Sequence, residues 1–172
     1  MMPLKIDLGA STASTERGMA PGVAGAVGIH WASLSPRPTK FDIGVGVFGG
    51  LHVAEKRDVM DDDNALAYGG AYLEGARMLS TNGWGRTWAS VRGEYLASGA
   101  FGRESDTGLG VSGRLSAELF ASGVGIEPRG LFLGTYAVGV YAEVGARQMA
   151  EGINAFQGTV GLTFRTPLVF SP

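Results

Sequence analysis

Few residues in this 172-residue chain are suited to chemistry. It has two histidines, His30 and His52, and no cysteine, which excludes thiol nucleophiles, disulfides and Cys-ligated metals. The segment His30-Trp31-Ala32-Ser33 puts a histidine near a serine, the residue types from which a general base and an activated nucleophile are made. Nothing in the sequence places an acid beside them. No His pair at i, i+2 or i, i+4 offers a metal site, and both histidines fall at even positions, so an inward histidine in a polar network is the stronger reading. Asp58, Asp61, Asp62 and Asp63, with Asn64 beside them, could gather around Ca²⁺, but the D-x-D-x-D-G spacing of a calcium loop is absent and a solvated turn is expected. Gly108 to Gly113 spells G-x-G-x-x-G inside an alternating segment with no helix to follow, so it lacks the geometry of a phosphate cradle. No catalytic residue, metal or cofactor is expected.

The elements that must position these side chains are strands. Glycine accounts for 29 residues without a Gly-X-Y period, which excludes collagen and argues against disorder. Hydrophobic residues make up 45% and charged ones 17%, with a mean hydropathy of +0.12, yet no stretch approaches the roughly 18 to 20 uninterrupted apolar residues of a membrane helix. A net charge of -2 with dispersed Arg and Lys provides no patch for nucleic acid. The opening residues Met1 to Leu8 show no basic segment followed by an apolar one, so no secretory signal is visible and export would need a leader upstream. A single domain over 1–172 is expected, since the length is that of one domain.

Turn residues recur at intervals of about 16 to 22 positions, and between them hydrophobicity alternates with period two. Strands are expected at 3–14, 21–34, 40–55, 64–79, 83–99, 106–121, 130–147 and 153–170. Phe41, Ile43, Val45, Val47, Leu51 and Val53 share one face of the third; Asp42, Gly44, Gly46, Gly50 and His52 share the other. Only the fourth is ambiguous, because Glu74 and Arg77 have opposite parity; Tyr68 and Tyr72 assign Glu74 to the polar face. That face then collects the acids Asp7, Asp42, Glu74, Glu94, Glu118 and Glu143 and the bases Lys5, Arg86, Arg92, Arg114, Arg147 and Arg165, six against six. Equal charge suits a narrow lumen filled by ion pairs, because unpaired buried charge is costly and eight strands enclose just enough room for side chains. The predicted fold is therefore an all-β, eight-stranded antiparallel up-and-down barrel with short turns, spanning a membrane and closed to diffusion. Trp31, Phe41, Phe132, Phe164 and Phe170 would form an aromatic girdle at one edge, with Tyr95, Phe101 and Phe156 at the other. Strands four and five offer a thin outer face, Ala65, Ala67, Ala71 and Leu73 with Thr87, Ala89, Val91 and Tyr95, suited to a protein partner.

The final segment, Gln157 to Pro172, resembles the C-terminal strand of bacterial outer-membrane barrels, which the barrel-assembly machinery reads. Thr159, Gly161 and Phe164 match its polar, glycine and hydrophobic positions. Thr166 stands where a second hydrophobic residue belongs, and Ser171-Pro172 follow Phe170 instead of the chain ending on the aromatic. In strand count and size the whole chain is similar to the eight-stranded barrels typified by the transmembrane domain of outer membrane protein A and by outer membrane protein X. That resemblance implies a non-enzymatic outer-membrane protein with a structural or interaction role, contacting outer-membrane lipid and, during biogenesis, the assembly machinery. Two alternatives stand beside it. A soluble glycine-rich barrel or sandwich, a subunit of a larger assembly, would turn the apolar face inward and leave Arg114, Glu118, Glu143 and Arg165 in solvent. An outer-membrane lipid-modifying enzyme would rest on His30 and Ser33.

Overall fold

A computed structural model of the chain describes residues 3–15, 18–31, 40–53, 65–99, 106–121, 136–149 and 154–167. Eight strands run β1 (Pro3–Thr15), β2 (Gly18–His30), β3 (Phe41–Val53), β4 (Ala65–Thr81), β5 (Gly85–Gly99), β6 (Asp106–Phe120), β7 (Ala137–Met149) and β8 (Asn154–Pro167). Each pairs antiparallel with its sequence neighbour, and β1 pairs with β8 from Pro3↔Pro167 to Ser14↔Phe156, closing the barrel in up-and-down order. The strand ends near Pro3, His30, Phe41, Thr81, Gly85, Phe120, Ala137 and Pro167 share one rim, here the terminal edge.

Strand identity follows the expected segments, with shifted ends. β2 begins at Gly18, so Pro21 lies within it; it pairs with Thr12 of β1, while the ladder to β3 starts only at Gly22, which leaves room for a residue without an N–H. β7 begins at Ala137, later than the expected 130, with Tyr136 just outside the strand. Among the described residues, the turn between β4 and β5 is short: Asn82 N–H donates to the Gly85 carbonyl (2.9 Å), and the Asn82 side-chain oxygen accepts from Trp84 N–H (3.0 Å) and Gly85 N–H (2.9 Å). A bulge between Met78 and Ser80 leaves Leu79 outside the β4–β5 pairing.

The period-two pattern resolves into an inverted protein. Val45, Val47, Leu73, Val91, Leu109, Val111, Leu115, Val140, Val160 and Leu162 point outward and are exposed, whereas Lys5, Glu74, Arg114, Glu118, Glu143 and Arg165 are buried. The soluble alternative required the opposite orientation, and the structure overturns it: Arg114, Glu118, Glu143 and Arg165 lie inside the barrel. Glu74 points inward and Arg77, three residues on, outward.

Glycine makes room for the larger inward rings. A Cβ at Gly46 would lie 2.8 Å from Tyr72 Cε1, and one at Gly28 would collide with the Tyr72 hydroxyl. Gly44 faces the His30 imidazole and Gly50 the Tyr68 ring in the same manner. The bare inner faces of β2 and β3 thus receive the rings of Tyr68 and Tyr72 from β4 and, at Gly44, of His30 from β2, which is how eight strands enclose so many rings.

Candidate functional site

The barrel interior is where the polar side chains meet. Its ion pairs fall into three groups along the axis. At the terminal edge, Arg165 donates from Nε to Glu118 (2.7 Å) and from Nη1 to Asp42 (2.7 Å), while Arg86 Nε donates to the other Glu118 oxygen (2.8 Å). In the middle, Arg114 grips Asp7 with two guanidinium nitrogens (2.5 and 2.8 Å), and Arg92 donates to Glu74 (2.9 Å) and Asp7 (3.4 Å). Lys5 Nζ lies 2.7 Å from Glu74 and 3.8 Å from Asp7, and Glu143 lies 3.6 Å from Arg92 and 3.8 Å from Arg114. Toward the far edge, Arg147 forms a two-pronged pair with Glu94 (2.7 and 3.0 Å).

Each group is neutral by itself: Arg86 and Arg165 with Asp42 and Glu118; Lys5, Arg92 and Arg114 with Asp7, Glu74 and Glu143; Arg147 with Glu94. Neutrality within each group is what a low-dielectric interior demands, because an ion without a partner there costs several kcal/mol. Every inward arginine also lies over an aromatic ring: Arg114 over Tyr141 (3.7 Å to the centroid), Arg92 over Tyr72 (4.2 Å), Arg147 over Tyr68 (4.7 Å), and Arg86 and Arg165 over Trp88 (4.9 and 5.6 Å). The planar guanidinium can stack and fork at once, which a lysine ammonium cannot. Between the middle and far groups, Asp7, Phe48, Tyr68, Tyr141, Glu143 and Gln157 surround a cavity of about 20 Å³, the size of a single water molecule.

The two histidines sit near opposite ends of this interior. His30 Nδ1 is hydrogen-bonded to Asp42 (2.9 Å), whose other oxygen accepts from Trp31 N–H (3.1 Å). This is the base-and-orienter half of a nucleophilic triad, but the ring is fully buried, and Ser33 lies outside the described residues. His52 Nε2 lies 3.0 Å from Ser11 Oγ and its ring stacks on Tyr68 (5.6 Å, 15°). Ser11 is itself held by Gln157 Nε2 (2.6 Å) and Thr159 (3.0 Å), and Gln157 accepts from the Tyr68 hydroxyl (2.8 Å). Serine and histidine are in reach of each other there, and both are buried within the barrel. The sequence drew attention to His30 and Ser33 and passed over Ser11; the inward parity that Ser11 shares with Asp7 was the available signal. Among the described residues, no group of three or more His, Asp or Glu is placed to hold a metal ion.

Of the expected girdle, Trp31 and Phe41 are exposed at the terminal edge; Phe164 is half-buried with its ring 5.9 Å from Tyr136; Phe132 and Phe170 lie outside the described residues. Trp84 joins Trp31 and Phe41 at that rim. It shares the even parity of Arg86 and Trp88, so alternation alone would turn it inward; because β5 begins at Gly85, it stands in the turn, exposed. At the far edge Tyr95 and Phe156 are exposed, and Phe101 lies outside the described residues. The acidic run at 58–63 also lies outside them.

Fold and interior together define the class: a small, closed, eight-stranded antiparallel barrel, polar within and apolar without. Among solved structures, Neisserial surface protein A superposes on it with a TM-score of 0.66, covering 97% of each chain at 12% identity, a likeness of fold. Ail, the attachment invasion locus protein of Yersinia pestis, aligns over 95% of this chain and 97% of its own at 10% identity, with a TM-score of 0.43. No protein-family model and no curated protein matches the chain.

Proposed function

We propose that this chain is a non-enzymatic barrel of the bacterial outer membrane, closed to diffusion by its charge network, that serves a structural or interaction role through its surface. One observation carries the reading: where side-chain burial is described, the charged side chains of β1 and β3–β8 other than Arg77 turn inward in neutral groups, while the outward face is otherwise apolar from strand to strand. Water is a poor solvent for that outer face, since monomeric soluble proteins rarely expose apolar patches beyond a few hundred Å². Lipid can, and a closed barrel leaves no unpaired sheet edge within it. The fold shared with Neisserial surface protein A, a surface protein by its name, supports a place at the cell surface. The C-terminal strand, with Thr159, Gly161 and Phe164, supports recognition by the barrel-assembly machinery.

The test is direct. The folded chain should require detergent, migrate differently on SDS gels before and after boiling, and give no steady single-channel current in planar bilayers. A freely soluble monomer would refute the membrane assignment, and a stable conductance would refute the closed lumen.

A further inference from the structure

Where side-chain burial is described on the strands, every charged residue but one is buried, and the exception is Arg77. It points out from β4 between Phe41 of β3 and Ala89 of β5, its partners in the two ladders. Among the described residues its guanidinium meets no carboxylate, and the outward face they form carries none. Phe41 places Arg77 at the depth of the terminal-edge aromatics, where lipid headgroups lie. Lys40, also exposed, sits one step nearer the rim, its carbonyl accepting from Met78 N–H (2.9 Å).

Immediately inward along the strands the surface sinks. Gly75 lies between Ile43 and Val91 in the same cross-strand row, and a Cβ at Gly75 would touch nothing within 4 Å. The result is a groove of about 490 Å³ floored by Gly75 and walled by Phe41, Ile43, Ala89 and Val91, with Arg77 at its mouth.

We propose that this groove binds one anionic glycerophospholipid, its phosphate paired with Arg77 and one acyl chain laid over Gly75. A cation at the mouth of an apolar trough matches a lipid's order of groups, anionic head and then hydrocarbon. Guanidinium binds phosphate through two parallel hydrogen bonds. The trough has room for one acyl chain, and the lipid's second chain stays in the surrounding bilayer. A second copy of the chain would be a poor occupant, because its described outward face has no acid to pair with Arg77. The site rests on the membrane reading above.

Native mass spectrometry of the full chain in detergent, with phosphatidylglycerol and phosphatidylcholine offered together, tests it. The wild type should retain one phosphatidylglycerol in preference to phosphatidylcholine. Arg77→Gln should lower that retention about tenfold, the scale of a lost charge-assisted hydrogen bond. Gly75→Leu should lower it as well, with the charge kept. Unchanged retention in either variant, or displacement by millimolar inorganic phosphate alone, overturns the site, provided boiled and unboiled samples still migrate apart. A detergent-requiring barrel with unselective lipid retention defeats this site alone, whereas a wild type soluble without detergent defeats the membrane reading with it.

Discussion

Replacing Asp7 by asparagine removes one negative charge from the middle of the barrel while keeping the side chain's size. Asp7 is 4% exposed and receives the two-pronged bond from Arg114, the 3.4 Å bond from Arg92 and the ion contact from Lys5. After the change, three cations share two carboxylates, Glu74 and Glu143, and the middle group carries an uncompensated charge. Removing one partner of a buried pair typically costs about 3–5 kcal/mol. With a urea slope of about 2 kcal/mol per M, the unfolding midpoint should fall by roughly 1.5–2.5 M. Urea titration in detergent micelles, followed by tryptophan fluorescence, to which Trp88 in the lumen contributes, and by the unboiled gel mobility, measures it. The double variant Asp7→Asn/Arg114→Gln restores neutrality at two against two. It should be less destabilised than the sum of the single changes by about 0.5–3 kcal/mol. A loss below about 1 kcal/mol for Asp7→Asn, or strictly additive single and double variants, would show that the middle group is not a charge-balanced unit.

Three further outcomes follow from the same geometry. Val111→Arg, in the middle of β6 on the outer face, should cost about 2–4 kcal/mol in phospholipid vesicles, against about 0–1 kcal/mol for Leu79→Arg near the terminal edge; equal costs in the same vesicle titration would contradict a bilayer around the barrel. Gly44→Ala, whose methyl would press on the His30 ring, should cost about 1–3 kcal/mol, and less in a His30→Ala background, by thermal gel-shift midpoint. Arg165→Lys keeps the charge but cannot bridge Asp42 and Glu118 while lying over Trp88, so its midpoint should fall; a wild-type midpoint would assign the pairing to charge alone.

The barrel was legible in the sequence because alternation with period two is a direct imprint of a sheet with two unlike faces, and β1, β3 and β5–β8 carry that imprint over several residues, with β4 alone ambiguous. Strand ends were harder to read. Parity says nothing about where pairing begins, so Trp84 reads as inward although β5 starts one residue later, and Pro21 reads as the start of its strand although β2 begins at Gly18 and holds Pro21 where only one ladder runs. The twelve inward charges were visible as a face, but their division into three neutral groups depends on which strands lie opposite across the lumen. Sequence spacing has no access to that: Arg165 meets Asp42 across 123 residues and Arg114 meets Asp7 across 107. The stacking of each arginine on a ring was hidden for the same reason. Arg77 and Glu74, which made the fourth strand ambiguous, do face opposite ways; the conflict marked the one cation on the described outer strand face.

The β1–β8 seam has a consequence for how the chain relates to its own order. Because Pro3 faces Pro167 and the ladder runs on to Ser14 and Phe156, the wall is a ring in which no strand is first. A circular permutant that joins the two ends by a short linker and reopens the chain between Val53 and Ala65 keeps all eight ladders. It also keeps every cross-lumen partner, since the contacts depend on which strands are neighbours and not on where translation starts. What such a permutant loses is the identity of its last strand: β3, ending in Leu51-His52-Val53, would stand where β8 now stands. Comparing its assembly in cells with its refolding in detergent would separate what the barrel needs in order to be stable from what the cell needs in order to recognise it.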